Sequence, residues 1–392
     1  MSSTPASRRR LSAFVCACCV FVCVVSGAVQ AHPSRAEFAE LPPARALAVS
    51  TDDPAVFGLT EGRNTDLAAA TIALQRCDAM RAPDTGVCEI VRLNDEEVTR
   101  AADILAGVPQ QPHPLYLWRY QGRNATVFLA GSIHLLKESL YPLPVQYEQA
   151  YAVAERLVVE VDTNLYTANE MQRKTRQYAS LPSGQTLTDI LPPTLYQHVR
   201  QQLSRYGLQH AAIDGVKPSL LMNQIVVARL LTLGYLPEFG IEQHFLEQGG
   251  SREILQLETL DEQLQLLFEQ PLPVQIELLA DTLEKSSQIE PVLAGMLVAW
   301  LSGDDEALQA LFAQQNGDSP LVQQFINELL HQRNHTMAEK IRGFIESGEG
   351  TYFVLIGAAH YLGDSGIPAL LAERGLQGHR ITSDTPAALV AP

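Results

Sequence analysis

The chain has 392 residues, of which 46% are hydrophobic and 18% charged, a balance that excludes an intrinsically disordered protein and suits an α/β domain with an extension. Its 44 acidic residues against 28 basic ones leave a formal net charge of -16, which argues against a nucleic-acid partner held through its phosphates. No short-period repeat is visible, so a solenoid is excluded as well.

Residues 1–31 read as an export signal. Arg8, Arg9 and Arg10 form a basic start, residues 11–25 a short apolar run, and Val29, Gln30 and Ala31 a small-residue cleavage site. His32 then opens a mature chain that is exported, to a periplasm or outside the cell. The run is short for a transmembrane helix, so no stable span is expected after cleavage; an uncleaved anchor is the alternative. Four of the six cysteines lie in this segment. The remaining pair, Cys77 and Cys88, reads as one disulfide closing a small loop, against the alternative of two buried thiols or half of a metal site.

Residues 32–112 carry Ala-rich helical patterns and a polar stretch at 93–97, and read as a helical N-terminal extension. The main domain, residues 113–385, opens with strand-like 115–119, a polar turn at 121–124 and a second strand at 126–130, a hairpin-like spacing. A helix over 145–156 and a β-branched run at 157–162 follow. Strand, helix and strand at this spacing form a βαβ unit, which implies parallel pairing. Residues 168–246 read as helical and 252–258 as a third strand. Further helices run to 348, then a strand at 351–356, a helix at 366–374 and a last strand at 379–382. Residues 386–392 are a tail. The fold class is α/β: a central, mostly parallel sheet with a long helical insertion and a helical, disulfide-stapled N-terminal extension.

Two apolar runs, Phe128-Leu-Ala-Gly-Ser-Ile-His134 and Phe353-Val-Leu-Ile-Gly-Ala-Ala-His360, both end in Gly-x-x-His. Each reads as a buried strand delivering an imidazole at its C-terminal end, the edge where open α/β sheets bind ligands. Two such histidines can converge on one metal ion or one substrate.

The ordered set of Ala130-Gly-Ser-Ile-His134, Tyr141-Pro-Leu-Pro144, Leu157-Val-Val-Glu-Val-Asp162, Gly240-Ile-Glu-Gln-His244, Leu257-Glu258-Thr259, Arg333-Asn334 and Val354-Leu-Ile-Gly-Ala-Ala-His360 resembles the TraB/GumN family over residues 113–385. That family includes Tiki proteins, described as metal-dependent proteases. It is similar, more remotely, to erythromycin esterases, which use two histidines and a glutamate. The resemblance implies an α/β fold with its site at the strand ends.

His134 and His360 are candidate metal ligands or general bases; the plainer reading is structural histidines bonded to backbone carbonyls. Glu160 sits in an apolar run that should not carry an unpartnered charge. It is a candidate ligand or base, or else one half of a salt bridge to a helix arginine. Asp162 divides between a ligand and a cap. Glu258 can complete the site or serve the turn before Thr259, a plausible helix N-cap. Arg333 can hold an oxyanion or a substrate carboxylate, or pair with an acid. His331 and His335 stand four apart, but Asn334 is expected to break a helix between them, so both are read as solvated.

With His134, Glu160 and His360 as ligands, a divalent zinc, manganese or cobalt ion would activate water for hydrolysis of an amide or ester bond. Glu258 or Asp162 would then act as base and Arg333 as oxyanion partner, on a peptide or small-molecule substrate. A metal-free scheme has one histidine, oriented by Glu160, activating water. A third reading is a binding protein that sequesters a peptide or small ligand without turnover.

Overall fold

The computed structural model describes residues 32–390 except 84, 209–212 and 316–318; the export signal read in residues 1–31 lies outside the described residues. Two sheets organise what is described. The first lies in the extension: strands β1 (Ala46–Ser50), β2 (Phe57–Thr60), β3 (Cys88–Leu93) and β4 (Glu96–Glu97) pair antiparallel in the order β2-β1-β3-β4. The helix Asp66–Asp78 lies against it, burying Ala69, Ala70, Ala73 and Cys77 at helical spacing. The approach is close: a Cβ at Gly58 would come 2.0 Å from the Ala73 carbonyl oxygen. Cys77, near the end of this helix, is bonded to Cys88 at the start of β3, so the expected staple is present. The extension is helical only in part. Its alanines do mark a helix, but its strands are short and mix polar with apolar residues, so the Ala-rich pattern hid the sheet.

The second sheet has six strands: β5 (Pro114–Gln121), β6 (Ala125–Ser132), β7 (Arg156–Val159), β8 (Glu253–Gln256), β9 (Gly350–Gly357) and β10 (His379–Thr382), in the order β10-β5-β6-β9-β7-β8. The hairpin is there as β5 antiparallel to β6, and β6, β9, β7 and β8 run parallel. Every residue of β6 is buried, as expected of a strand covered on both faces. Helix Ile289–Ser302 packs near one end of it, where Trp300 Nε1 donates to the Gly131 carbonyl over 3.1 Å. Helix Arg333–Ser347 buries Met337, Ala338, Ile341 and Ile345.

The βαβ unit differs from the expected pairing in one respect. Its strands β6 and β7 are parallel but not neighbours, because β9 lies between them and pairs with both. A segment from the far end of the chain thus enters between two that are close in sequence. The described residues within 163–347 form the helical insertion, broken by β8. Part of it has its own core, with Leu187, Val199, Leu203, Leu221, Ile225 and Leu279 fully buried. Among the described residues no helix is long and apolar enough to cross a membrane.

Candidate functional site

The parallel strands all point their C-terminal ends at one edge of the sheet. His134 follows β6 by two residues, Glu160 follows β7 directly, Glu258 follows β8 by two, and His360 follows β9 by three. Glu160 therefore stands just beyond its strand rather than within it, yet it remains buried.

His360 lies in a short helical turn, Ala358–Tyr361, and is 4% exposed. Its ring is oriented by a chain of hydrogen bonds. Asn334 Nδ2 donates to the Ser365 carbonyl over 2.7 Å, which turns Asn334 Oδ1 toward His360 Nδ1. That oxygen can only accept, so Nδ1 carries the proton and Nε2 keeps its lone pair, 3.9 Å from Glu160 Oε2. Burial lowers the imidazole to about 4; Glu160 opposes that shift, and Arg333 and His134 add to it. Asn334 does not break the helix: it lies in the first turn of Arg333–Ser347 and is 1% exposed, while His331 and His335 are exposed as expected.

Glu160 is the best-connected acid of the site. Its Oε1 accepts from the Gly357 backbone N–H over 2.7 Å, and its Oε2 accepts from Arg333 Nη2 over 2.7 Å and from Gln263 Nε2 over 3.3 Å. Burial alone would raise its carboxyl, but His360, His134, Arg333 and the Gly357 N–H together hold it below the usual range. Arg333 bridges Glu160 to Glu258, giving Glu258 bonds from Nε at 2.9 and 3.0 Å and from Nη2 at 2.7 Å, while its Nη1 donates to the Leu329 carbonyl. The guanidinium is thus occupied by two carboxylates and a carbonyl. This arrangement suits positioning more than oxyanion binding, and Glu258 is likewise tied up as its partner. Asp162 accepts from the Asn164 N–H over 3.0 Å, the capping alternative.

His134 stands at the mouth, with its side chain 70% exposed and Nδ1 2.9 Å from Glu242 Oε1. The Glu242 carboxylate pushes this imidazole up to about 9, although solvent around the ring screens the pair. Glu242 opens the helix Ile241–Glu247 and also accepts from Ser132 Oγ. Glu242 and Gln263 received no role from the sequence, and Asn334 only that of a helix breaker. Glu242 and Asn334 both lie within the ordered motif set, Glu242 two residues after Gly240 and Asn334 directly after Arg333.

These groups meet at Gly357. A Cβ built there would lie 3.3 Å from Glu160 Oε1, 3.8 Å from His360 Cδ2 and 3.9 Å from His134 Nε2. The space in front is a cavity of about 470 Å³. Around His134, Glu160, Arg333, Gly357 and His360, its wall is made of large apolar side chains from the helical insertion. The donor set fits a divalent ion in part. Both imidazoles suit one, since each has Nδ1 anchored by an acceptor and leaves Nε2 toward the cavity, the usual support for a ligating histidine. Glu160 suits one only through lone pairs that Arg333, Gln263 and Gly357 leave free. As they stand, no three His, Cys, Asp or Glu among the described residues are gathered closely enough to hold an ion.

A family model described as the TraB/PrgY/gumN family matches residues 116–380. The uncharacterised protein YbaP of Escherichia coli (strain K12) is 27% identical over 263 residues, 63% of this chain and 88% of its own length. Metalloprotease TIKI1 of Danio rerio is 23% identical over 346 residues, covering 76% of this chain and 69% of its own. The Metalloprotease TIKI homolog of Amphimedon queenslandica is 21% identical over 317 residues, covering 68% and 61%. No solved structure matches the chain.

Proposed function

The chain belongs to the TraB/PrgY/gumN family, and from that membership and the cluster at Gly357 we propose an exported hydrolase that cleaves an amide or ester bond. The observation that carries the reading is the convergence of His134, Glu160 and His360 beside a cavity. Relatives named metalloproteases support hydrolysis and a metal. The leader pattern and the Cys77–Cys88 bond support an oxidising compartment.

A bound divalent ion would be held by Nε2 of His134, Nε2 of His360 and Glu160, and would supply acidified water and a polarised carbonyl. The chain's own groups divide the remaining work. Asn334 fixes the His360 tautomer, and Glu242 orients His134. Arg333 and the Gly357 N–H keep Glu160 charged and in place, and the apolar walls exclude water. A metal-free scheme is the second reading, favoured by the guanidinium already seated on Glu160. In it, His360 Nε2 takes a proton from water as the water oxygen bonds to the carbonyl carbon. Protonated His134 then gives its proton to the leaving nitrogen or oxygen as that bond breaks.

The test is metal analysis of the purified mature protein with a panel of peptides and esters, run with and without chelator. Stoichiometric metal, lost in both His134→Ala and His360→Ala, is expected, as is chelator-sensitive turnover. Turnover that survives chelator but not His360→Ala assigns the metal-free scheme. Full activity in both variants would remove the pocket from the chemistry altogether.

A further inference from the structure

Beyond the reacting groups, the cavity has a composition that the hydrolytic reading does not use. Its wall is contributed by several helices of the insertion, and Leu267, Leu293, Met296, Leu308, Phe312 and Leu330 present the surface. Most of these are only partly buried, so their remaining exposure faces the cavity rather than the core. At about 470 Å³ the space is at the smaller end of ligand cavities, which run from roughly 300 to 1,000 Å³.

Apart from the Nε2 atoms of His134 and His360, which serve the reacting centre, the polar side chains at this cavity are already engaged. Arg333 is spent on Glu160, Glu258 and Leu329, and Gln263 Nε2 is directed to Glu160. Among the described residues lining the cavity, no other Lys or Arg is available for a carboxylate or a phosphate. Nor do the leucine-rich walls offer side-chain donors or acceptors to a peptide backbone. A peptide laid along them would leave its amides unpaired, at a cost that an apolar wall cannot offset. An aliphatic chain has no such groups and gains from every methylene it buries.

Resting on the hydrolase reading, we infer that the bond cleaved carries an aliphatic acyl group, with the carbonyl at Gly357 and its hydrocarbon chain in the leucine-lined cavity. The leaving alcohol or amine then lies toward His134 and solvent. The substrate class is a neutral acyl ester or acyl amide. In hydrolysis, water adds to the acyl carbon, the carbon–oxygen or carbon–nitrogen bond breaks, the acid keeps the water oxygen, and the leaving group takes a proton.

Two measurements test this in the full mature chain. The first is kcat/KM for 4-nitrophenyl butanoate, octanoate, dodecanoate and hexadecanoate. It should rise about fourfold per added methylene until the cavity is filled, then stop rising. Met296→Trp and Leu267→Phe, two independent ways of shortening the cavity, should each lower the dodecanoate-to-butanoate ratio. Loss of two methylenes' worth of contact predicts about sixteenfold. The second is binding without turnover: dodecanamide should displace the neutral dye N-phenyl-1-naphthylamine from wild type and from His360→Ala. Displacement without hydrolysis of any ester or amide would keep the acyl site and sink the hydrolase reading. A flat chain-length series, or a leucine-rich peptide displacing the dye better than dodecanamide, would overturn the acyl assignment and favour a peptide groove.

Discussion

The missing side chain at Gly357 lets an acid and two imidazoles face a common point, so this residue offers a direct test of the pocket. Its φ of -50° is open to any L residue, and an added Cβ would make contacts no shorter than 3.3 Å. Gly357→Ala should therefore fold, with stability changed by no more than about 1 kcal/mol. The methyl group would occupy the place of a reacting atom, and a displacement of that order costs about a hundredfold in rate. A thermal melt beside steady-state kinetics checks both halves, and retained activity would put the reacting centre elsewhere. The two histidines are predicted to titrate on opposite sides of the ordinary value. In chelated protein, ring-proton NMR should place His360 near 4 and His134 up to about 9. The signs for stability are also opposite. The raised His134 contributes stability that is full below its unfolded value of about 6.5 and lost as pH rises toward 9. The lowered His360 costs stability as pH falls from about 6.5 toward 4, because the unfolded chain takes up a proton that the buried ring refuses. Both rings titrating near 6.5 would mean that neither Glu242 nor burial acts as described. Both histidines were legible in the sequence because each ends its own apolar run. Glu242 and Asn334 were not, because they matter only through rings more than twenty residues away in the chain.

Among the elements, the strands at the site could be read locally, but their order could not. Period, length and β-branching mark 126–130, 157–162 and 351–356 as strands one at a time. Nothing in residues 125–159 announces that β9 will separate β6 from β7, since the intervening strand, 350–357, comes from the far end of the chain. The same limit hid the sheet of the extension, where 46–50 and 57–60 pair beneath an alanine-rich helix that dominates the local pattern. The staple between that helix and β3 is predicted to stabilise mainly by shortening the unfolded chain. The loop it closes spans a sequence separation of 11, which corresponds to about 3 kcal/mol on the chain-entropy account. Cys77→Ala with Cys88→Ala should lower the unfolding free energy from a denaturant titration by about that amount, with a matching fall in the midpoint. Its effect on turnover measured well below the melting temperature should be small, because the bond lies outside the cavity. A loss of activity equal to the loss of stability at low temperature would tie the extension to the site itself.

In the molecule as a whole, the extension and the helices and loops of the main domain are joined by polar contacts, several of them on buried charges. Thr99 donates through its N–H and its hydroxyl to Glu290, at 3.1 and 3.3 Å, and Tyr235 donates to the same carboxylate over 3.2 Å. Lys137, 2% exposed and lowered by burial, donates to the Thr99 carbonyl and lies 4.0 Å from Glu89. Arg229 pairs with Glu96, and Arg205 Nε with Asp66 Oδ2 over 2.9 Å. Opening this seam would break these contacts and expose to water an apolar core that runs continuously from Ala46, Ile90 and Ile104 to Leu297 and Trp300. Residues 32–390 are therefore expected to unfold in one step, despite carrying two sheets. Calorimetry should give a single transition, with the reduced protein following the same course at a lower temperature. Glu290→Ala orphans the Thr99 N–H and the Tyr235 hydroxyl and removes a neighbouring charge from Lys137. It should cost roughly 3 kcal/mol or more and move the whole transition down without splitting it. Two resolved transitions in wild type, or a split one in Glu290→Ala, would mean that the extension folds independently and that the seam only docks it.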